Sequence, residues 1–153
     1  MRINTRVRYA IRMMADIAKH SGGEPVRVAD IAGRQGLSKF YLDQLGAPLR
    51  HANLLKSVRG KKGGYMLNRV STKIKLIDII EAVDGPVCLM DCVLDPGQCD
   101  RSDFCECIGI WRDINAAMVT ALEKYSLADL VDTSRSVSRL GSLCMAGRSA
   151  EEA

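Results

Sequence analysis

The chain of 153 residues is 47% hydrophobic and 26% charged, ordinary for a globular protein and too short for two fully independent domains. No stretch approaches the ~18 uninterrupted apolar residues of a membrane span, and Arg8, Arg12 and Asp16 interrupt any apolar core of an export signal, so a cytoplasmic protein with no membrane partner is expected. The net charge of +4 hides a division: residues 1–70 hold fourteen Lys/Arg against four Asp/Glu, and residues 71–153 hold eight against fourteen, which points the first half toward nucleic acid.

From Asn4 to Lys19, Val7, Ala10, Ile11, Met14, Ile17 and Ala18 recur at helical spacing behind Asn4 as a cap. Gly22, Gly23 and Pro25 break this helix. A second, from about Arg27 to Gln35, turns Val28, Ile31 and Ala32 inward. Gly36 then permits a tight turn with Leu37 beneath it, and Ser38 caps a third helix running towards Leu45. Phe40, Tyr41, Leu42 and Leu45 are expected to supply its apolar contacts, leaving Lys39, Asp43 and Gln44 polar and the last two able to meet base edges. Gly46 and Pro48 predict an early end or a kink.

LLKSVRGKKGGYML, between Leu54 and Leu67, reads as two short strands around a basic turn. After a helix-turn-helix such a hairpin is a wing: the third helix enters the major groove while Arg59, Lys61 and Lys62 reach phosphates or the minor groove. IKLIDIIEAVDGP should be a short connecting helix ending at Gly85 and Pro86. From Ile108 to Tyr125, the residues Ile110, Trp111, Ile114, Ala117, Met118, Ala121 and Leu122 form an apolar stripe that wants a long partner. The same helix of a second subunit is the economical one, with packing on its own domain as the alternative. A two-fold dimer would bind a palindromic or near-palindromic operator with half-sites about 34 Å apart on double-stranded DNA. The tail from Asp132, poor in apolar periodicity, is expected to be partly disordered; Cys144 within it is a reactive thiol or has no role.

Five of six cysteines, Cys88, Cys92, Cys99, Cys105 and Cys107, fall within twenty residues among Asp91, Asp95, Asp100, Asp103 and Glu106. So long a loop asks for something to order it, and the expected compartment disfavours disulfides. Zinc sites favour thiolates in close pairs, which only Cys88 and Cys92 offer. An iron-sulfur cluster tolerates the wider C-x6-C-x5-C spacing and is the preferred reading, ahead of zinc or a bare thiol sensor. His20 and His51 lie outside this segment and no nucleophile-base pair is visible, so the protein is not expected to be an enzyme. An iron-sulfur electron carrier is the rival from another class.

Together, MRINTRVRYAIRMM, ADIAGRQGLSKFYLDQL, LLKSVRGKKGGYML and the three-cysteine loop ahead of IGIWRDI resemble the IscR, NsrR and CymR family of regulators over about residues 1–130. The resemblance implies a mainly α fold with a small β-wing, in which a winged helix-turn-helix DNA-binding domain (1–84) precedes a cysteine-rich loop (85–107), a dimerisation helix region (108–131) and a tail (132–153). It implies a homodimeric regulator, expected to be a repressor or dual regulator, whose iron-sulfur cluster changes DNA affinity; CymR-like members work without one. Cys92, Cys99 and Cys105 match the family's three ligands. The histidine that IscR-like proteins place three residues after the last cysteine is Ile108 here, leaving Cys107 or Cys88 as fourth ligand, and a 2Fe-2S cluster is favoured with 4Fe-4S open. The aspartate that NsrR-like members supply from the first helix is replaced by Arg8, which argues against a nitric-oxide site of that type. Ser38, Phe40, Asp43 and Arg59 match positions that contact DNA in IscR-like proteins; Phe40 and Asp43 replace a small polar residue and a glutamate, so the operator is expected to differ.

Overall fold

A computed structural model describes residues 3–101 and 104–132; the expectations for the tail and for Cys144 fall outside them. Asn4 caps α1 (Thr5–His20) by accepting from the Val7 amide at 2.8 Å, and Val7, Ala10, Met13, Met14 and Ile17 bury one face of the helix. The chain then passes through Gly22 and Gly23, both at positive φ, into α2 (Val28–Gln35), whose Ile31 is fully buried. Gly36 closes α2 in the left-handed region with φ 65°, where a side chain would be strained. Ser38 opens α3 (Lys39–His51), its hydroxyl accepting from the Tyr41 amide at 3.1 Å.

The end of α3 corrects the early end that Gly46 and Pro48 offered as the alternative to a kink. The helix continues to His51 with Pro48 inside it. Proline removes the donor that would reach the Gln44 carbonyl, at a cost of about 3 kcal/mol in a free helix. Here Leu45, Gly46 and Leu49 are buried in the core, and burying two leucines contributes about as much in the opposite direction.

Strands β1 (Leu55–Val58) and β2 (Gly64–Leu67) form an antiparallel hairpin with Leu55 opposite Leu67 and Val58 opposite Gly64. A 3-10 turn at Ser71–Lys73 leads into α4 (Leu76–Asp84). Expected only as a connector, α4 is part of the core: Ile77, Ile79, Ile80 and Val83 are buried and the helix packs on α1 and α3. Beyond Gly85 lie the short α5 (Asp91–Leu94), a 3-10 turn at Pro96–Gln98, the long α6 (Ile108–Glu123) and α7 (Leu127–Val131). The chain returns to its beginning at α7: Leu127 is fully buried, its amide donates to the Ile74 carbonyl at 2.8 Å, and α7 packs on α1. Among the described residues no helix is long and apolar enough to cross a membrane.

Candidate functional site

The turn at Gly36 presents α3 with two unlike faces. Leu42, Leu45 and Leu49 point into the core, while Lys39, Phe40, Asp43 and Gln44 are exposed. Phe40 departs from its expected core contact: it is 73% exposed, on the side of the helix that the leucines leave to solvent. The wing tip carries Arg59, Lys61 and Lys62, all exposed, around Gly60 at φ 113° and a Gly63 amide that donates to the Gly60 carbonyl at 2.9 Å.

Tyr65, in the middle of β2, fixes the wing to the helices. Its amide donates to the Val26 carbonyl and its carbonyl accepts from the Val26 amide, both at 2.9 Å, so the hairpin is bridged to the segment that leads into α2. Its ring is buried and lies where a side chain on Gly46 of α3 would stand. Its hydroxyl donates to Asp43 Oδ1 at 3.0 Å. Burial, with the adjacent Asp43 carboxylate, pushes the Tyr65 phenol above its ordinary pKa, so it stays protonated and a donor at neutral pH.

Sequence reasoning missed the buried carboxylate beneath α2. Asp16, on the inner face of α1, is 3% exposed. Arg34 grips it with Nε at 3.0 Å from Oδ2 and Nη2 at 2.6 Å from Oδ1, and Gln35 Nε2 donates to Oδ2 at 2.8 Å. Gln35 in turn accepts from Arg12, through its side chain at 3.0 Å and its carbonyl at 2.9 Å. Burial alone would raise the Asp16 pKa, but the hydrogen bonds from Arg34 and Gln35 and the charges of Arg34 and His20 outweigh it and hold the carboxyl below its usual range. The sequence carried one signal: an aspartate within the apolar stripe of α1, between Ala15 and Ile17.

Beyond α4, Cys88, Cys92, Cys99 and Cys105 are half-buried, Cys107 is exposed, and all five are free thiols. Cys92 lies in α5, Cys99 follows the Pro96–Gln98 turn, and Cys107 is the N-terminal flank of α6. The Cys88 thiol donates to the Met90 carbonyl at 2.7 Å. Thiolates are the donors an iron-sulfur cluster needs, so the residue types fit. Among the described residues, no three metal-ligating side chains stand close enough together to hold a single metal ion.

The segment is tied to α6 through Asn115, a buried amide on the helix face that looks toward α4 and α5. Its Oδ1 accepts from the Leu89 amide at 3.0 Å and its Nδ2 donates to the Val87 carbonyl at 3.4 Å. Met118 and Leu122 are half-buried and pack against the chain's own core, the alternative that stood beside a dimer face. The adjoining stripe is exposed: Ile110 by 60% and Ile114 by 45%, with Ala117 and Ala121 continuing it, while Trp111, 36% exposed, stands in line with Asn115, Met118 and Leu122 at its edge.

Comparison with known proteins places these features in one family. A family model described as Rrf2, iron-dependent transcriptional regulator, matches residues 3–133. The regulator IscR of Xenorhabdus nematophila is 41% identical over 131 residues, covering 86% of this chain and 79% of its own length. A solved IscR of T. potens superimposes with a TM-score of 0.70 at 35% identity over 90% of each chain. CymR of B. subtilis, the global cysteine regulator of that organism, does so with a TM-score of 0.69 at 34% identity over 86% of this chain and 96% of its own. With its two-stranded wing behind a helix-turn-helix, the chain belongs to the Rrf2 family of transcriptional regulators, DNA-binding proteins rather than enzymes.

Proposed function

We propose that the protein is a homodimeric, IscR-like regulator, working in the cytoplasm, whose affinity for a palindromic operator is set by an iron-sulfur cluster held in the 85–107 segment. The observation that carries this reading is the attachment of five free thiols to α6 through Asn115. Cys92, Cys99 and Cys105 would be ligands, with Cys107 or Cys88 the fourth. A cluster held there would supply a centre that can be assembled, lost or change redox state. Displacement of the segment would pull on Asn115 and shift α6, which packs on α4 and so on the DNA-binding core. Regulation requires that the two states differ in free energy of DNA binding.

Purification without oxygen tests this directly. A coloured protein with stoichiometric iron and sulfide, whose operator affinity changes on cluster removal, is expected, and Cys105→Ala should lose the colour while keeping the fold. A colourless, iron-free protein that binds as tightly as the reconstituted one sinks the sensor. The likeness to the CymR structure favours a second reading, a cluster-free regulator sensing thiol state or a partner protein; the iron count separates the two.

On α3 and the wing, Ser38, Lys39, Phe40, Asp43 and Gln44 would meet the major groove, and Arg59, Lys61 and Lys62 the flanking phosphates or minor groove. Arg59→Ala is expected to weaken binding across all sequences alike and to lower the slope of log affinity against log salt by about 1, the signature of one lost phosphate contact. Fluorescence anisotropy titrations over a salt series measure it.

The exposed stripe of Ile110, Ile114, Ala117 and Ala121, with Trp111 at its edge, runs along α6 for about 17 Å at 1.5 Å per residue. Two copies packed along it would bury the bulk of this apolar surface. Ile114→Glu places a charge in the seam and should yield a folded monomer in sedimentation velocity at concentrations where the unmodified protein is a dimer.

A further inference from the structure

The hydrogen bond from Tyr65 to Asp43 joins a buried wing residue to an exposed residue of the recognition helix, and neither the salt bridge beneath α2 nor the cysteine segment takes part in it. A free aspartate on a helix surface turns about two side-chain torsions, and any hydrogen bond it accepts from DNA must offset the loss of that freedom. Asp43 is already restrained: one of its oxygens accepts from Tyr65 at 3.0 Å. Tyr65 is restrained in turn by its main-chain bridge to Val26 and by its ring lying over Gly46. A carboxylate only accepts hydrogen bonds, so the remaining oxygen suits the exocyclic amine of cytosine in the major groove and repels the acceptor edge of guanine.

We propose that Tyr65 is a positioning residue for sequence readout, presenting the Asp43 carboxylate so that its second oxygen selects cytosine at one position of each half-site. The inference rests on α3 being the recognition helix. It makes the wing more than a phosphate clamp, because displacement of β2 would alter what α3 reads.

The test uses the full-length protein and a duplex library with about 25 randomised base pairs, enough for two half-sites one helical turn apart. Affinities are then measured for the selected duplex and for every single-base variant of it. The unmodified protein should prefer cytosine about tenfold at one symmetric pair of positions, and Asp43→Ala should abolish that preference. Tyr65→Phe keeps the ring against Gly46 but removes the donor; it should cut the preference to about threefold at those positions, leave the others and the affinity for unselected duplex unchanged, and add nothing in the Asp43→Ala background. If Asp43→Ala changes no base preference, the recognition-helix reading of Asp43 fails and the proposal with it. If Asp43→Ala changes the preference but Tyr65→Phe does not, the positioning role alone fails. A Tyr65→Phe protein that loses affinity equally for all duplexes shows a packing role only and also overturns it.

Discussion

A single methyl group added at position 64 is expected to displace the wing and weaken specific operator binding about 100-fold. A β-carbon on Gly64 would overlap the Val26 carbonyl, and Val26 is held there by two main-chain hydrogen bonds to Tyr65. The obstacle is backbone, so no rotamer change relieves it. Gly64→Ala must either break both bonds or strain the hairpin, at a cost of about 2–3 kcal/mol, which lowers the melting temperature by roughly 5–10 °C. The effect on DNA should be as large as the effect on folding, because the wing tip and Tyr65 both move away from α3; an affinity loss of about 100-fold is expected, equivalent to roughly 3 kcal/mol. Gly33→Ala is the control. Position 33 lies inside α2 with nothing within 4 Å of an added methyl, so that variant should be neutral or more stable by up to about 1 kcal/mol. Calorimetry and anisotropy titrations on the two variants give the comparison.

Asp16→Asn carries the second large effect. The amide keeps the shape of the carboxylate but not its charge, and one of its two oxygens becomes a donor facing the Arg34 guanidinium. Breaking a buried pair costs about 3–5 kcal/mol. Arg34 keeps 36% of its side chain in contact with water, so a cost below that range, about 2–3 kcal/mol, is expected. The pH dependence is diagnostic. Because the Asp16 pKa is lower in the folded protein than in the unfolded chain, the unfolded chain binds the proton more readily. Its contribution to stability is therefore complete above the unfolded value of about 3.9 and is lost as pH falls through the folded value. Urea midpoints of the two proteins should differ by a constant amount at neutral pH and converge below about pH 4. A gap that persists undiminished into acid would assign the effect to packing instead of charge.

Both effects bear on what the sequence could show. The helix-turn-helix and the wing were legible because local chemistry specifies them: Gly36 supplies the left-handed turn, Ser38 the cap, and the basic glycine-rich turn the hairpin. Pro48 misled because its local penalty was visible while the burial of Leu45 and Leu49 around it was not. Phe40 misled in the opposite sense, since hydrophobicity alone does not say which side of α3 a residue occupies; the leucines at 42, 45 and 49 define the inner face and exclude it. Asp16 and Asn115 are polar residues within apolar stripes, and their partners lie 18 and 26 residues away in sequence, beyond the reach of any periodicity. The thiols were legible as a set from their density in sequence, whereas their convergence depends on chain conformation that spacing does not specify.

The clamp at Asn115 also bears on how freely the thiol spacing can vary. Leu89 is held by that amide, and at the far end the Ile108 amide, where α6 begins, donates to the Cys105 carbonyl at 3.3 Å, so the anchors of this span engage backbone and leave the thiols of Cys92, Cys99 and Cys105 out. Adding or deleting one residue between Cys92 and Cys99 changes the closure entropy of such a span by far less than the roughly 0.6 kcal/mol that a doubling of its length would cost. Neither anchor has to move, and the core of α1, α3 and α4 is left alone. If these thiols hold the proposed cluster, mutation can thus retune their geometry in small steps while the DNA-reading half stays constant, so that one scaffold could come to answer a different signal.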